Sequence, residues 1–496
     1  MRVLFTHSYF LKFDPKQWQQ MQPYAPLGTL YAAALLREHG CEVALHDVMF
    51  ANGPTSLEGP LQSFKPELLV IYDDGFNYLT KMCLTNMRDA ALSMCRIGKQ
   101  NGCKVIICSS DAADHFDKFL DNDADVVMIG EGEQTLLELV YYERERARDI
   151  KDINGIVFRD SSGATIKTLP RKVMHDLDEL PLPAWDLVNM EAYKNAWMGS
   201  VGYFSINIGT TRGCPFKCNW CAKPIYGNRY NVRSPEHVIK ELLLLKEKTG
   251  FAHVWFCDDI FGLRPGWIKR FAELVQEHDL RFRFKVQSRA DLLLKDEQIA
   301  PLAAAGCQTV WMGAESGSQK ILDAMDKGIT TSQIGEATAM LKKHGIKVAY
   351  FLQFGYLGET REDIDSTLKM ISDNRPDDIG ISVSYPLPGT KFYDKVSGQL
   401  QQKTNWTDSN DLELMFRNTY DTAFYRGLHK YVHAYFRKMK AVTDKGFIFR
   451  RMARIPYYAV QEKWYGYQVN KAKRTIVVIL FIALGAAMLL WPEWNK

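Results

Sequence analysis

Gly213-Cys214-Pro215-Phe216-Lys217-Cys218-Asn219-Trp220-Cys221 decides how this 496-residue chain is read. The cysteines are spaced C-x3-C-x2-C, so three thiolates on one loop can converge on a soft metal centre. Three protein ligands on a four-iron cluster leave one iron open to a substrate or cofactor. Structural zinc wants a fourth protein ligand, and no nearby Cys or His supplies a convincing one.

The motif follows an apolar strand at 203–209. Further strand candidates lie at 253–257, 283–288, 309–313, 347–355 and 379–385, with amphipathic helices between them, for example 235–250 and 331–345. Six such units fit a partial or complete barrel, in which chemistry sits at the carboxyl ends of the strands. Upstream, buried strands at 2–5, 42–45, 68–72, 104–108 and 125–130 alternate with helices, as in a doubly wound parallel sheet. Ligands of such sheets bind beyond the strand carboxyl ends, here in polar loops at 26–29, 73–77, 109–115 and 130–133. A GxGxxG fingerprint is missing. The expected organisation is an N-terminal doubly wound domain (1–140), a connector (141–200), a barrel (201–395), a helical region (396–470) and a hydrophobic tail helix (475–491).

Composition agrees with a folded, multidomain chain: 46% of residues are hydrophobic and 24% charged. Residues 445–496 hold nine Lys/Arg against two acids, leaving the other 444 residues at −3, so no nucleic-acid footprint is expected on the body. Ten cysteines are too sparse for a disulfide framework, and no secretory segment follows Met1, so the body is expected inside the cell. The cysteines outside the motif read as small core residues. Residues 475–491 carry no charge and follow a basic, aromatic run at 445–474, a pattern suited to the cytoplasmic face of a membrane. Shortness leaves a buried core helix and a shallow interfacial helix as rival readings.

CxxxCxxC after the first strand of a βα barrel resembles the radical S-adenosylmethionine superfamily. The likeness runs in order through 203–395, over Cys257-Asp258-Asp259, Gln287-Ser288-Arg289, Gly313-Ala314-Glu315-Ser316, Gly355 to Glu359 and Tyr385 to Thr390. It implies a [4Fe–4S] cluster on Cys214, Cys218 and Cys221, and S-adenosylmethionine held by Asp258, Asp259, Gln287, Arg289, Glu315, Ser316, Gly355 and Glu359. Carboxylates suit the ammonium and ribose of that cofactor, and Arg289 suits its carboxylate; singly, each could equally be a strand-end charge in solvent.

The N-terminal stretches Pro26-Leu27-Gly28-Thr29-Leu30-Tyr31 and Gly130-Glu131-Gly132-Glu133 resemble the cobalamin-dependent class of that superfamily. This likeness implies cobalamin against Gly28, Thr29, Ser109, Ser110, Asp111, Gly130 and Glu131. The chain departs from many relatives in having Ser109-Ser110-Asp111 where they have Gly-Gly. A DxHxxG motif is missing and His115 is the only local candidate ligand, so no protein histidine on cobalt is expected. The class implies reductive cleavage of S-adenosylmethionine, hydrogen abstraction from an unactivated C–H and methyl transfer to carbon. An external electron donor of flavodoxin or ferredoxin type is expected with it, and a small hydrophobic or membrane-associated substrate. The anaerobic magnesium-protoporphyrin ester cyclase group uses the same cofactor pair with a cyclising, oxidative outcome. A non-enzymatic, membrane-anchored iron–sulfur or cobalamin sensor is the reading from a different class; a methylthiotransferase fits less well.

Overall fold

The structure, a computed structural model, describes residues 1–76, 84–145, 149–223, 225–295, 298–400, 403, 405–443 and 448–469. The N-terminal sheet has seven strands: β1 (Arg2–Thr6), β2 (Glu42–His46), β3 (Leu68–Tyr72), β4 (Lys104–Cys108), β5 (Val126–Met128), β6 (Ile156–Arg159) and β7 (Thr165–Lys167). Their order is β2-β1-β3-β4-β5-β6-β7. The first five are parallel and the last two antiparallel. Alternation sends Val3, Phe5, Val70 and Ile106 to one face, and Leu4, Leu69, Ile71 and Val105 to the other, giving a separate core on each. The β6–β7 hairpin comes from the stretch expected to be connector. Pairing antiparallel, it covers the edge that β5 would otherwise expose.

The second sheet begins at β8 (Ser205–Ile208); a small ribbon follows, in which β9 (Thr211–Arg212) pairs with β10 (Asn231–Val232) around the cysteine loop. Then come β11 (His253–Phe256), β12 (Arg283–Ser288), β13 (Cys307–Glu315), β14 (Lys347–Phe354) and β15 (Asp378–Val383). Order β15-β14-β13-β12-β11-β8, parallel throughout and sequential, makes a six-stranded partial barrel. Phe256, Phe271 and Phe284 pack edge-to-face between the strands and the outer helices. Tyr24 from the N-terminal domain lies against Trp197 and Trp255, and Ala25 accepts a hydrogen bond from Asn207 Nδ2 at 2.9 Å. The two domains therefore share one core.

Two long helices, Thr422–Thr443 and Ile448–Val469, close the described chain and pack antiparallel. Lys438 pairs with Glu462, Arg437 lies over Tyr458, and Lys430 over Tyr465. Part of the basic, aromatic run expected to face lipid headgroups thus folds back on the protein. Among the described residues no helix is long and apolar enough to cross a membrane, and the tail expected at 475–491 lies outside them.

Candidate active site

Cys214, Cys218 and Cys221 sit half-buried as free thiols on the loop that β9 and β10 close. Gly213 opens the loop at φ +79°, and a Cβ there would lie 2.4 Å from the Arg229 carbonyl, so only glycine fits. Asn219, between the second and third thiols, ties the loop to the barrel. Its Nδ2 donates to the Ala324 carbonyl at 2.7 Å, and its Oδ1 accepts from Tyr356 at 2.8 Å. Its backbone N–H donates to Met325, and its carbonyl accepts from the Phe392 N–H. Lys223 spans the loop from the Phe216 carbonyl to Asn228. Burial raises Cys214 and pushes Cys221 up to about 12. Metal binding must therefore release protons here. Among the described residues no three Cys, His, Asp or Glu side chains converge tightly enough for a single metal ion; a four-iron cube presents its iron corners apart, so its thiolates need not meet at one point.

Around the thiols stand groups from successive strand ends. Asp259, exposed, acts electrostatically on both Cys214 and Cys221. Arg289 is buried, with its guanidinium 3.7 Å from the centre of the Phe216 ring, 3.8 Å from Cys218 Sγ and 2.9 Å from Asp291. Gln287 is half-buried on β12. Glu315 adopts φ +57°, uncommon for a residue with a side chain, just past a register shift in β13. Its carboxylate is paired with Lys327 at 2.8 Å, both side chains buried. Burial opposes the Lys327 charge, while Glu315 and then Cys218 raise it.

Other predicted residues support the site from behind. Asp258 accepts hydrogen bonds from the backbone N–H groups of Thr210 and Thr211, at 2.7 and 2.9 Å, and from the Thr210 hydroxyl. It anchors the turn leading into the loop, and burial raises it to about 7. Ser316 bonds Thr367 at 3.2 Å, facing a helix. Glu359 accepts the Gly355 N–H at 2.7 Å, its other oxygen is buried without a partner among the described residues, and burial raises it to about 8. Gly355 takes φ +76° under Tyr425 of the helix Thr422–Thr443.

In the N-terminal domain, the Gly28 N–H donates to Asp74 at 3.1 Å and the Thr29 hydroxyl to the Tyr72 carbonyl at 2.6 Å. Ser109 caps the short helix Ser110–Asp114, in which Ser110 is buried. Asp111 is paired with Arg88. Gly130 turns at φ +81° beside the Ile225 carbonyl, which follows the cysteine loop. Glu131 is not free for a ligand: one oxygen pairs with Arg212 and the other accepts the Met174 N–H at 2.5 Å. Arg212 also holds Glu133 at 2.7 Å, so one buried guanidinium, two residues before Cys214, forks to both carboxylates of the Gly-Glu-Gly-Glu loop. The rings of Tyr31, Phe76 and Tyr226 surround it at 5.4, 5.7 and 5.1 Å. Burial works against the Arg212 charge, and Glu133, Tyr226 and Glu131 more than offset it.

Arg212, Lys327, Asn219 and Lys223 are the residues that reading the sequence missed. Only Asn219 carried a signal, its place inside the motif; the others read as ordinary strand-end or loop polar residues.

Three thiols thus follow the first strand of a partial barrel that is pressed against the strand ends of a doubly wound domain. Residues 208–371 match the radical SAM superfamily, and this chain is an enzyme with a radical SAM domain. It is 27% identical to an uncharacterised methyltransferase of Pyrococcus horikoshii over 449 residues, 86% of this chain and 92% of that protein. It is 27% identical to the anaerobic magnesium-protoporphyrin IX monomethyl ester cyclase of Rubrivivax gelatinosus over 284 residues, 56% of this chain and only 50% of the cyclase. With the hopanoid C-3 methylase of Methylococcus capsulatus it shares 25% identity over 381 residues, 76% and 69% of the two chains. The fold resembles the cobalamin-dependent S-adenosylmethionine radical enzyme OxsB with aqua-cobalamin bound, at TM-score 0.73 and 16% identity, covering 98% of this chain and 75% of that one. It also resembles the methyltransferase TsrM from Kitasatospora setae with cobalamin and a [4Fe–4S] cluster bound, at TM-score 0.64 and 19% identity, over 80% and 74%. A radical SAM domain implies a [4Fe–4S] cluster, S-adenosylmethionine and an external reductant. The sensor reading falls with the assignment as an enzyme.

Proposed function

We propose that this chain is a cobalamin-dependent radical SAM enzyme that methylates an unactivated carbon of a hydrophobic or membrane-associated substrate. The observation that carries the reading is the Arg212 fork, which presses the Gly-Glu-Gly-Glu loop of the doubly wound domain against the root of the thiol loop. Two ligand-binding strand edges face each other there, as transfer between two cofactors requires.

The cluster fits: three half-buried thiols stand on a braced loop, and burial raises Cys214 and Cys221. Cys214, Cys218 and Cys221 would hold it. Asp259, Gln287, Arg289 and the Glu315–Lys327 pair would receive S-adenosylmethionine, with Asp258, Ser316, Gly355 and Glu359 holding those strand ends in shape. For cobalamin the lining chemistry fits, with hydroxyls of Ser8 and Ser109 and carboxyls of Asp73 and Asp111 above apolar walls. The space does not fit, since that crevice encloses about 10 Å³. When bound, the two groups supply reductive radical generation and a transferable methyl. The protein's own work is orientation, by the braced loop and fork, and exclusion of water by the shared core.

A flavodoxin or ferredoxin would donate the electron. Residues 475–491, with the basic run before them, would fasten the enzyme to the cytoplasmic face of a membrane. The hopanoid methylase relative is named for a lipid-class substrate, which supports this choice. The test is incubation of the reconstituted enzyme with methyl-labelled S-adenosylmethionine and a lipid extract, with label expected in a carbon-bound methyl. The alignment with the cyclase favours a second reading, ring closure with oxidation. An oxygenated product, with label confined to methionine or cobalamin, would select it.

A further inference from the structure

Along β12 and β13 burial alternates. Phe284, Val286, Val310 and Met312 are buried in the core shared with the outer helices, while Lys285, Gln287, Thr309 and Trp311 are half-buried on the opposite, inner face of the barrel. The register sets Lys285 beside Trp255 and Thr309, and Gln287 beside Trp311. Trp311 stacks on Phe351 of β14 with ring centres 4.7 Å apart. The pair lies over Gly380 of β15, where a Cβ would come 3.1 Å from the Trp311 ring. The inner face thus offers a flat aromatic surface and, across β12, an ammonium.

That ammonium lacks a counter-charge. Among the described residues Lys285 Nζ has no ion-pair or hydrogen-bond partner, and it stands 5.4 Å from the centre of the Tyr24 ring and 5.3 Å from that of Trp255. Rings favour a cation without neutralising it. The groups beside it are neutral: Tyr24, Ser205 and His253 are hydrogen-bonded in a row, at 3.1 and 2.7 Å, and burial, then Lys285, push His253 down to about 3. Burial lowers Lys285 itself to about 8, with no carboxylate to oppose it. A desolvated cation is costly until an anion meets it.

We propose that Lys285 is the anion-binding residue of the substrate site, pairing with the carboxylate of a flat, apolar acid whose body lies along the Trp311–Phe351 stack toward the thiol loop. A lone ammonium matches the single charge of a carboxylate; a phosphate dianion calls for further cations, and among the described residues none acts on Lys285. Lys285 lies three residues, about 10 Å, before the end of β12 at Ser288, so the acid end sits deep and the body reaches the strand ends. This inference rests on the methylation reading and names its substrate class; the test separates the two.

Full-length, cluster-reconstituted protein is titrated by calorimetry with 2-naphthoate, the neutral 2-naphthamide and 2-naphthyl phosphate. The wild type should bind naphthoate at least about fivefold tighter than the amide, and no more weakly than the phosphate. Lys285→Met should weaken naphthoate at least about tenfold and leave the amide within about twofold. It should also raise the urea midpoint, because it removes an uncompensated buried charge. Lys285→Arg should keep the preference for the acid. Equal binding of acid and amide by the wild type, binding of no probe, or tighter binding of the phosphate would overturn the proposal. So would a Lys285→Met protein that keeps naphthoate, or that unfolds at lower urea as loss of a structural prop requires. Naphthoate bound through Lys285, with no label passing from methyl-labelled S-adenosylmethionine to the lipid extract, would remove the methylation reading and leave this site standing. Label transfer undiminished in Lys285→Met would do the reverse.

Discussion

Arg212→Met keeps the stem of the interdomain fork and removes its charge. Natively Arg212 is 3% exposed and its two carboxylates 6% and 1%. Hydrogen bonds to charged groups contribute about 1.5–3 kcal/mol each. Removing one partner of a buried pair costs about 3–5 kcal/mol, because the other charge is left uncompensated. Both routes put the loss near 4 kcal/mol at neutral pH. The loss also has a direction with pH. Burial raises Glu131 above its ordinary 4.5 and Glu133 raises it further, opposed chiefly by Arg212 and then by the Met174 N–H. Without Arg212 the Glu131 carboxyl holds its proton in the folded state to higher pH than in the unfolded chain. Such groups favour folding below the unfolded value and disfavour it as pH rises through the folded one. The deficit should therefore be about 4 kcal/mol at pH 8 and at least about 1 kcal/mol smaller at pH 5.5. Urea unfolding followed by tryptophan fluorescence at the two pH values measures it. A loss below about 1 kcal/mol at pH 8, or an equal loss at both pH values, would refute the claim that a desolvated clamp joins the domains.

Three further outcomes are expected. Anaerobically purified wild type should hold about four irons per chain with a visible charge-transfer band; the triple variant Cys214→Ala/Cys218→Ala/Cys221→Ala should be colourless, and iron retained by it would remove these thiols as ligands. Glu359, raised to about 8 by burial, favours folding below about 4.5 and loses that contribution as pH rises through about 8. Glu359→Gln should gain on the wild type by up to about 1.4 kcal/mol per pH unit between pH 5 and 8, and urea midpoints that run parallel across that range would disprove it. Deleting 475–496 should move the protein from the membrane pellet to the soluble fraction with its cluster intact; a truncated protein that loses its cluster would make the tail part of the core.

The sequence by itself determined the two-sheet plan and the thiol loop, because both are local patterns. Buried parallel strands read as apolar runs, and β3, β4 and β12 occupy 68–72, 104–108 and 283–288, where those runs lie. The C-x3-C-x2-C spacing needs no tertiary knowledge to bring three sulfurs onto one loop. Which polar residues serve ligands and which serve the fold was decided only in three dimensions. Asp258 and Ser316 lie on strand ends that the family pattern marks, yet their side chains are spent on Thr210, Thr211 and Thr367. Glu131 lies 81 residues from Arg212, and no periodicity relates residues so far apart. Lys327 completes Glu315 from across a loop, and Arg88 completes Asp111 from a helix. A carboxylate's chemistry is legible in its letter, but its availability depends on which cation the tertiary fold buries beside it.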